Sequence, residues 1–249
     1  MLHALVEKGV RFDAVVGCSV GALAATRYAA DPTLDGVESL EQVWRDLRTR
    51  DVFPVTPYGV LRGVTGRSHL VSPKALRQLV QREAPIHDLG ETAVPLGVVT
   101  TRLDNGEPVL WTNGPAVDIL NASCALPGIL PPVRLPDGAE HIDGGISSAA
   151  PLLLAQQLQP CDEIWLLDVL STPDEHQHHG SLRDVYLAAF SHAVQSQVAN
   201  ELRALKGPIL RHVKLAPQWS VIDSTDFSHT SELIEAGYEA SKSLLSRRR

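Results

Sequence analysis

What this 249-residue chain has little of narrows its role before any motif is read. Its three cysteines, Cys18, Cys124 and Cys161, are too few for a disulfide framework. No apolar run approaches the roughly 20 residues that a transmembrane helix needs. Basic residues are outnumbered, 22 Lys and Arg against 29 Asp and Glu, for a net charge of −7. A general nucleic-acid binder would be basic, so no nucleic-acid partner is expected. A secretory signal would pair a basic start with an apolar stretch of roughly 7–15 residues. Met1 to Val10 instead reads MLHALVEKGV, with Glu7 and Lys8 inside it, and the expectation is a cytoplasmic protein. Internal repeats at solenoid periods and low-complexity linkers are also lacking. Methionine occurs once, as Met1, and helix-like sequence follows at once, so a segment ahead of the first helix is expected to be missing.

What is present suits one globular domain, with 44% hydrophobic and 20% charged residues. Leu2, Leu5 and Val6 fall at helical spacing, with Gly9 as C-cap. Phe12–Val16 reads as a short buried strand and Ala22–Ala30 as a helix that stops before Pro32. Glu38–Arg48 reads as an amphipathic helix. Ser72 and Pro73 supply an N-cap and an N1 proline for a helix to about Glu83. Strands are expected at Leu96–Thr101 and Pro108–Trp111, joined by the turn Asp104-Asn105-Gly106. Further along come a strand at Glu163–Val169, a helix from Ser181 to Lys206, a strand at Ile209–Leu215 and a helix at Ser231–Leu245. Arg247, Arg248 and Arg249 end that helix as cations suited to its macrodipole. The alternation of strands and helices implies a three-layer α/β domain with a mostly parallel central sheet.

Val15-Val16-Gly17-Cys18-Ser19-Val20-Gly21-Ala22 is the most informative segment. It places G-x-S-x-G between a strand and a helix. A nucleophilic serine is well presented on such a turn, because its hydroxyl projects clear of the sheet edge. Backbone segments crowd there, so Gly17 and Gly21 are expected to be small by necessity. The helix that follows aims unpaired N–H groups and its dipole at developing negative charge. The pattern itself arises by chance in roughly one chain of this length in ten. Context and a partner base must therefore carry the argument.

Two sets of bases are available. The order Ser…Asp…His could be filled by Ser19, Asp168 and His212 or His229. Against it, the serine turn of α/β-hydrolases follows several strands, and residue 19 is too early. His141-Ile142-Asp143-Gly144-Gly145 offers the alternative: a carboxylate followed by two glycines that permit a tight turn. Asp143 could act as base directly if it lay within hydrogen-bond reach of Ser19. Partial desolvation would raise its proton affinity toward neutral pH. Asp-Gly is also a common turn pair, so alone it decides nothing.

Taken together, these segments resemble the patatin-like phospholipase family. The resemblance rests on Gly17-Cys18-Ser19-Val20-Gly21, on Asp143-Gly144-Gly145 and on the block Ala122-Ser123-Cys124-Ala125-Leu126-Pro127-Gly128-Ile129-Leu130-Pro131-Pro132, similar to A-S-x-A-x-P-x-x-x-P-P. Thr101–Glu107 is similar to the family's hairpin. The resemblance implies a three-layer α/β/α patatin-like fold over residues 1–249 as one domain, with Ser19 as nucleophile and Asp143 as base. It implies hydrolysis of lipid acyl esters, of the phospholipase A type, through an acyl-enzyme, with no cofactor and no metal. The partners expected are a lipid or other acyl ester and, transiently, a membrane surface.

Two features depart from the family pattern. The glycine-rich G-G-G-x-x-G loop that supplies oxyanion donors, with the strand before it, is not in this chain, which is expected to be truncated at its N-terminus. Ser147-Ser148-Ala149-Ala150 stands before Pro151 where the family often has asparagine. Val20 N–H is then the oxyanion donor that this chain supplies. The alternative is an impaired lipid-binding or scaffold homologue, and a transacylase is a third reading. Other features read as ordinary: His176-Gln177-His178-His179 as an exposed loop, Cys18 as a small buried filler, and Phe53–Val71 as a surface loop or a lid.

Overall fold

The computed structural model describes residues 1–52, 72–169, 182–215 and 227–246. Phe53–Val71, His176–His179 and Arg247–Arg249 lie outside the described residues. In chain order the helices are α1 (Leu2–Glu7), α2 (Val20–Ala30), α3 (Leu34–Asp46), α4 (Thr49–Val52), α5 (Lys74–Glu83), α6 (Ala116–Ser123), α7 (Leu152–Leu158), α8 (Leu182–Ala204) and α9 (Thr230–Ser246). The strands are β1 (Val15–Cys18), β2 (Leu96–Arg102), β3 (Pro108–Trp111), β4 (Val133–Arg134), β5 (Glu140–Asp143), β6 (Glu163–Asp168) and β7 (Ile209–Lys214).

Strand pairing is mixed. β1–β2 and β6–β7 run parallel, as the alternation of elements predicts. β2–β3, β2–β5 and β4–β5 run antiparallel. The Asp104-Asn105-Gly106 turn explains one of these pairs: Gly106 sits at φ 76°, where glycine is favoured, and reverses the chain between β2 and β3. Among the described residues the strands form a five-stranded sheet and a separate β6–β7 pair.

β2 is the axis of the larger sheet. Its four residues Leu96–Val99 pair with β1, and Thr100–Arg102 pair with β5. β3 covers Val98–Thr101. A strand has two edges, so β1 and β5 must follow one another along the edge that β3 leaves open. Cys18 stands opposite Val99 and Asp143 opposite Thr100. The ends of two strands distant in sequence thus meet across adjacent residues of β2.

Helices cover both faces. The main core gathers Ala22, Ala29, Leu76, Leu79, Val80, Ile119, Leu120 and Ala122 from α2, α5 and α6 around Leu96 and Val98 of β2. A smaller core joins Ala150, Leu152, Ile164 and Val198, so α7 and α8 share it with β6. The result is three layers.

Several boundaries shift for identifiable reasons. α3 begins at Leu34 rather than Glu38, because Thr33 caps it by accepting Gly36 N–H at 3.2 Å. α5 begins at Lys74, one residue after Pro73, and Ser72 Oγ accepts the Lys74 N–H. β1 runs Val15–Cys18 rather than Phe12–Val16. α6 and α7 were not expected from the pattern. Both follow a proline, Pro115 and Pro151, a start signal that marks them in retrospect.

Candidate active site

The serine turn is strained. Ser19 has φ 51° and ψ −131°, and is the sole non-glycine residue with positive φ among the described residues. Such a conformation costs on the order of 1–3 kcal/mol and persists only where its surroundings determine it. One determinant is the close approach of Gly17 to the start of α2. A Cβ on Gly17 would meet the Gly21 carbonyl oxygen at 2.4 Å. The expectation that Gly21 is equally constrained does not hold, since a Cβ there meets nothing within 4 Å. Gly21 contributes its backbone oxygen to the crowding, while the space its own Cβ would need is open. The turn leaves Ser19 half-buried and Val20 exposed.

The turn at Asp143 has the opposite character. Asp143 ends β5 and is 3% exposed. Its Oδ1 accepts the Gly145 N–H at 2.8 Å, its N–H donates to Ala125 O at 3.0 Å, and its carbonyl accepts the Thr101 hydroxyl at 2.8 Å. A Cβ on Gly144 would lie 2.2 Å from Val99 O, so only glycine lets this turn sit against β2. Gly145 faces the Asp143 carboxylate itself, at 3.1 Å from where its Cβ would be. Where the family pattern has asparagine, Ser147 Oγ meets Thr101 Oγ1 at 2.7 Å and Ser148 Oγ donates to Glu201 at 2.9 Å.

The two turns bring Ser19 and Asp143 together, with the Ser19 hydroxyl near enough to favour the charged form of the Asp143 carboxyl. Burial pushes the Asp143 carboxyl up to about 6, and the nearby Ser19 hydroxyl and the Gly145 N–H hold it down in part. A carboxylate so placed is a better proton acceptor near neutral pH than an aspartate in water. Cys18, next to the serine, points its thiol at Ala149 O at 3.4 Å, and burial pushes its proton affinity up. A thiol held protonated is a filler here, not a nucleophile.

The other candidate groups lie elsewhere. His212 Nε2 bonds Asp168 at 2.9 Å across the β6–β7 pair, and His229 Nδ1 bonds Glu232 at 2.6 Å. A hydroxyl–imidazole–carboxylate chain stands behind the turn at Asp143. Trp111 Nε1–H donates to Thr100 Oγ1, which meets His141 Nδ1 at 2.8 Å, and His141 Nε2 meets Asp137 at 3.0 Å. Thr100 and His141 are fully buried, so no substrate reaches them. Among the described residues no three His, Cys, Asp or Glu side chains gather to hold a metal.

Sequence reasoning missed one participant. Ser123, at the end of α6, accepts the Ser19 N–H at 2.9 Å and donates to Val99 O at 2.7 Å. Its place in the Ala122–Pro132 block was the available signal, but only the fold shows what it touches.

An α/β fold that sets a serine on a strand-to-helix turn against a desolvated carboxylate joins an acceptor to a potential nucleophile. The model of the patatin-like phospholipases matches residues 1–155, more than half of the chain, and the chain belongs to that family. A patatin-like phospholipase domain-containing protein of Caenorhabditis elegans is 27% identical over 164 residues, 63% of this chain. The chain spans only 14% of that relative's length. The crystal structure of VipD from Legionella pneumophila superposes with a TM-score of 0.51 over 99% of this chain and 64% of VipD. At 14% identity that likeness speaks for the fold alone. Among the described residues no helix is long and apolar enough to cross a membrane.

Proposed function

We propose that the chain is a lipid acyl hydrolase that works through Ser19 and Asp143. The observation that carries this reading is the contact of the Ser19 hydroxyl with a buried carboxylate pushed up to about 6. Asp143 takes the hydroxyl proton as Oγ attacks the ester carbonyl. The C–O bond to the leaving alcohol breaks, and the proton on Asp143 passes to that alcohol. Water then attacks the acyl-serine, giving its proton to Asp143; the bond from the acyl carbon to Oγ breaks, Asp143 returns the proton to Ser19 Oγ, and the fatty acid leaves. The oxyanion forms at the start of α2. The first N–H groups of a helix have no partner within it, and Val20 N–H, next to Ser19 at the start of α2, is the donor assigned to the oxyanion. Membership of the patatin-like phospholipase family supports a lipid ester as substrate, and exposed Val20 beside the serine suits an apolar one met at a membrane surface. The fold is read as one domain over residues 1–249.

A fluorophosphonate probe is expected to label Ser19, with Ser19→Ala and Asp143→Asn each abolishing ester turnover. Full activity in Asp143→Asn would overturn the dyad. Lipid binding with neither turnover nor labelling would assign a scaffold role instead. A product in which an added lipid alcohol replaces water would assign acyl transfer.

A further inference from the structure

We propose that Ser123 is a positioning residue, whose buried hydroxyl holds the Ser19 backbone in the conformation that turns the nucleophile toward its base. The inference rests on the reading of Ser19 as nucleophile and adds a part that neither motif contains.

Ser123 is fully buried and its hydrogen-bond directions follow from its partners. The Ser19 N–H can only donate, so a lone pair of Ser123 Oγ receives it at 2.9 Å. The Val99 carbonyl can only accept, so the Ser123 proton goes to it at 2.7 Å. The hydroxyl is therefore fixed at both ends by main chain, 104 and 24 residues away in sequence. Val99 is the β2 residue opposite Cys18, and its carbonyl also lies against Gly144. Two residues past Ser123, the Ala125 carbonyl accepts the Asp143 N–H at 3.0 Å. Ser123-Cys124-Ala125 thus grips the nucleophile turn with a side chain and the base turn with a carbonyl.

A merely satisfied buried serine would behave differently. Buried hydroxyls in helices commonly bond back to the carbonyl four residues earlier. Thr26, on α2 and 1% exposed, does so, with Oγ1 donating to Ala22 O at 2.8 Å. Ser123 makes no such bond and instead ties α6 to a strained residue on another segment. The tie also occupies the Ser19 N–H, while Ala22 N–H donates to the Ser19 carbonyl at 2.9 Å, so the proposed oxyanion donor is Val20 N–H.

The test compares Ser123→Ala with Ser123→Thr, which keeps the hydroxyl, and with Thr26→Ala, which removes a buried hydroxyl outside the site. Turnover of a soluble p-nitrophenyl ester, fluorophosphonate labelling and thermal unfolding are measured on each, and Ser123→Ala is crystallised. Displacing a reacting group by about 1 Å can cost about 10²-fold in rate. Ser123→Ala is expected to lose kcat and labelling rate by up to that factor with KM little changed. Thr26→Ala is expected to keep kcat at a comparable loss of stability, and Ser123→Thr to recover activity. In the crystal, Ser19 leaves positive φ in Ser123→Ala. The proposal is overturned if Ser123→Ala keeps kcat within threefold, if Thr26→Ala loses as much, or if Ser19 keeps its positive φ. Undiminished turnover in Ser19→Ala would instead sink the nucleophile reading, and the crystallographic result still decides the role of Ser123.

Discussion

The turn at Ser19 and the turn at Asp143, the proposed nucleophile and base, abut the same strand at neighbouring residues, yet solve opposite problems. Ser19 is half-buried, strained at φ 51° and followed by exposed Val20. Asp143 is unstrained at φ −49°, almost fully buried and held by three hydrogen bonds. A nucleophile must project toward substrate, and backbone strain provides the projection. A base must be raised from its aqueous proton affinity, and burial provides the rise. The difference shows that presentation and tuning are supplied by different physical means on one sheet edge.

The largest effects come from the glycines that let each turn approach its neighbour. Gly144→Ala sets a Cβ at 2.2 Å from Val99 O, and Gly17→Ala sets one at 2.4 Å from Gly21 O. Both neighbours are backbone and cannot step aside. Each variant is expected to lose about 3 kcal/mol or more in denaturant unfolding, together with ester turnover. Gly21→Ala meets no atom within 4 Å. It is expected to fold at least as well as the parent, gaining about 0.5–1 kcal/mol from restricted backbone freedom. A large loss in Gly21→Ala would show that the crowding is symmetric after all.

Acidity separates the turns next. As the proposed base Asp143 would have to be charged, so kcat/KM is expected to rise with pH through about 6 and to fall about tenfold per unit below it. Stability runs the other way. The folded state holds the proton more tightly than an unfolded aspartate near 3.8, so folding weakens as pH rises from about 4 to 6 and stays weakened above. That cost is on the order of 3 kcal/mol, at 1.36 kcal/mol for each tenfold change in proton affinity. Asp143→Asn removes the charge and is expected to unfold later than the parent at pH 8 but alongside it near pH 4. Equal curves at both pH values would mean that burial costs this carboxylate nothing.

Much of this was legible in the sequence where local chemistry decides. Asp104-Asn105-Gly106 announced its hairpin, and the alternation of strands and helices announced the layers. Gly17–Gly21 and Asp143–Gly145 marked the two turns, because steric demand and the need for a carboxylate leave few residue choices. Long-range pairing was not legible. Nothing in Leu96–Arg102 says that its first half pairs with one strand and its second half with another. Ser123 gave no sign of its partners, since a buried serine looks alike whether it bonds its own helix or a turn 104 residues away. The asymmetry between Gly17 and Gly21 likewise depends on three-dimensional crowding that the G-x-S-x-G spacing treats as equal.

The smallest effect is expected at Asp168 and His212, and it tests whether Asp143 suffices. Their 2.9 Å bond gives them the look of a triad pair, and the sequence order Ser19, Asp168, His212 allows it. The fold sets them across β6–β7, a pair of strands with no ladder to the sheet that carries Ser19 among the described residues. On the proposed reading Asp143 is the acceptor for the Ser19 proton, which leaves a histidine no part in that step. Asp168→Asn and His212→Ala are therefore expected to keep ester turnover within about twofold, the scale of a surface-level change of 0.5 kcal/mol. Each should cost some stability, because Asp168 is only 6% exposed and one variant leaves it without its imidazole partner. A hundredfold fall in kcat from either, with folding intact, would transfer the base from the buried turn to the second pair of strands.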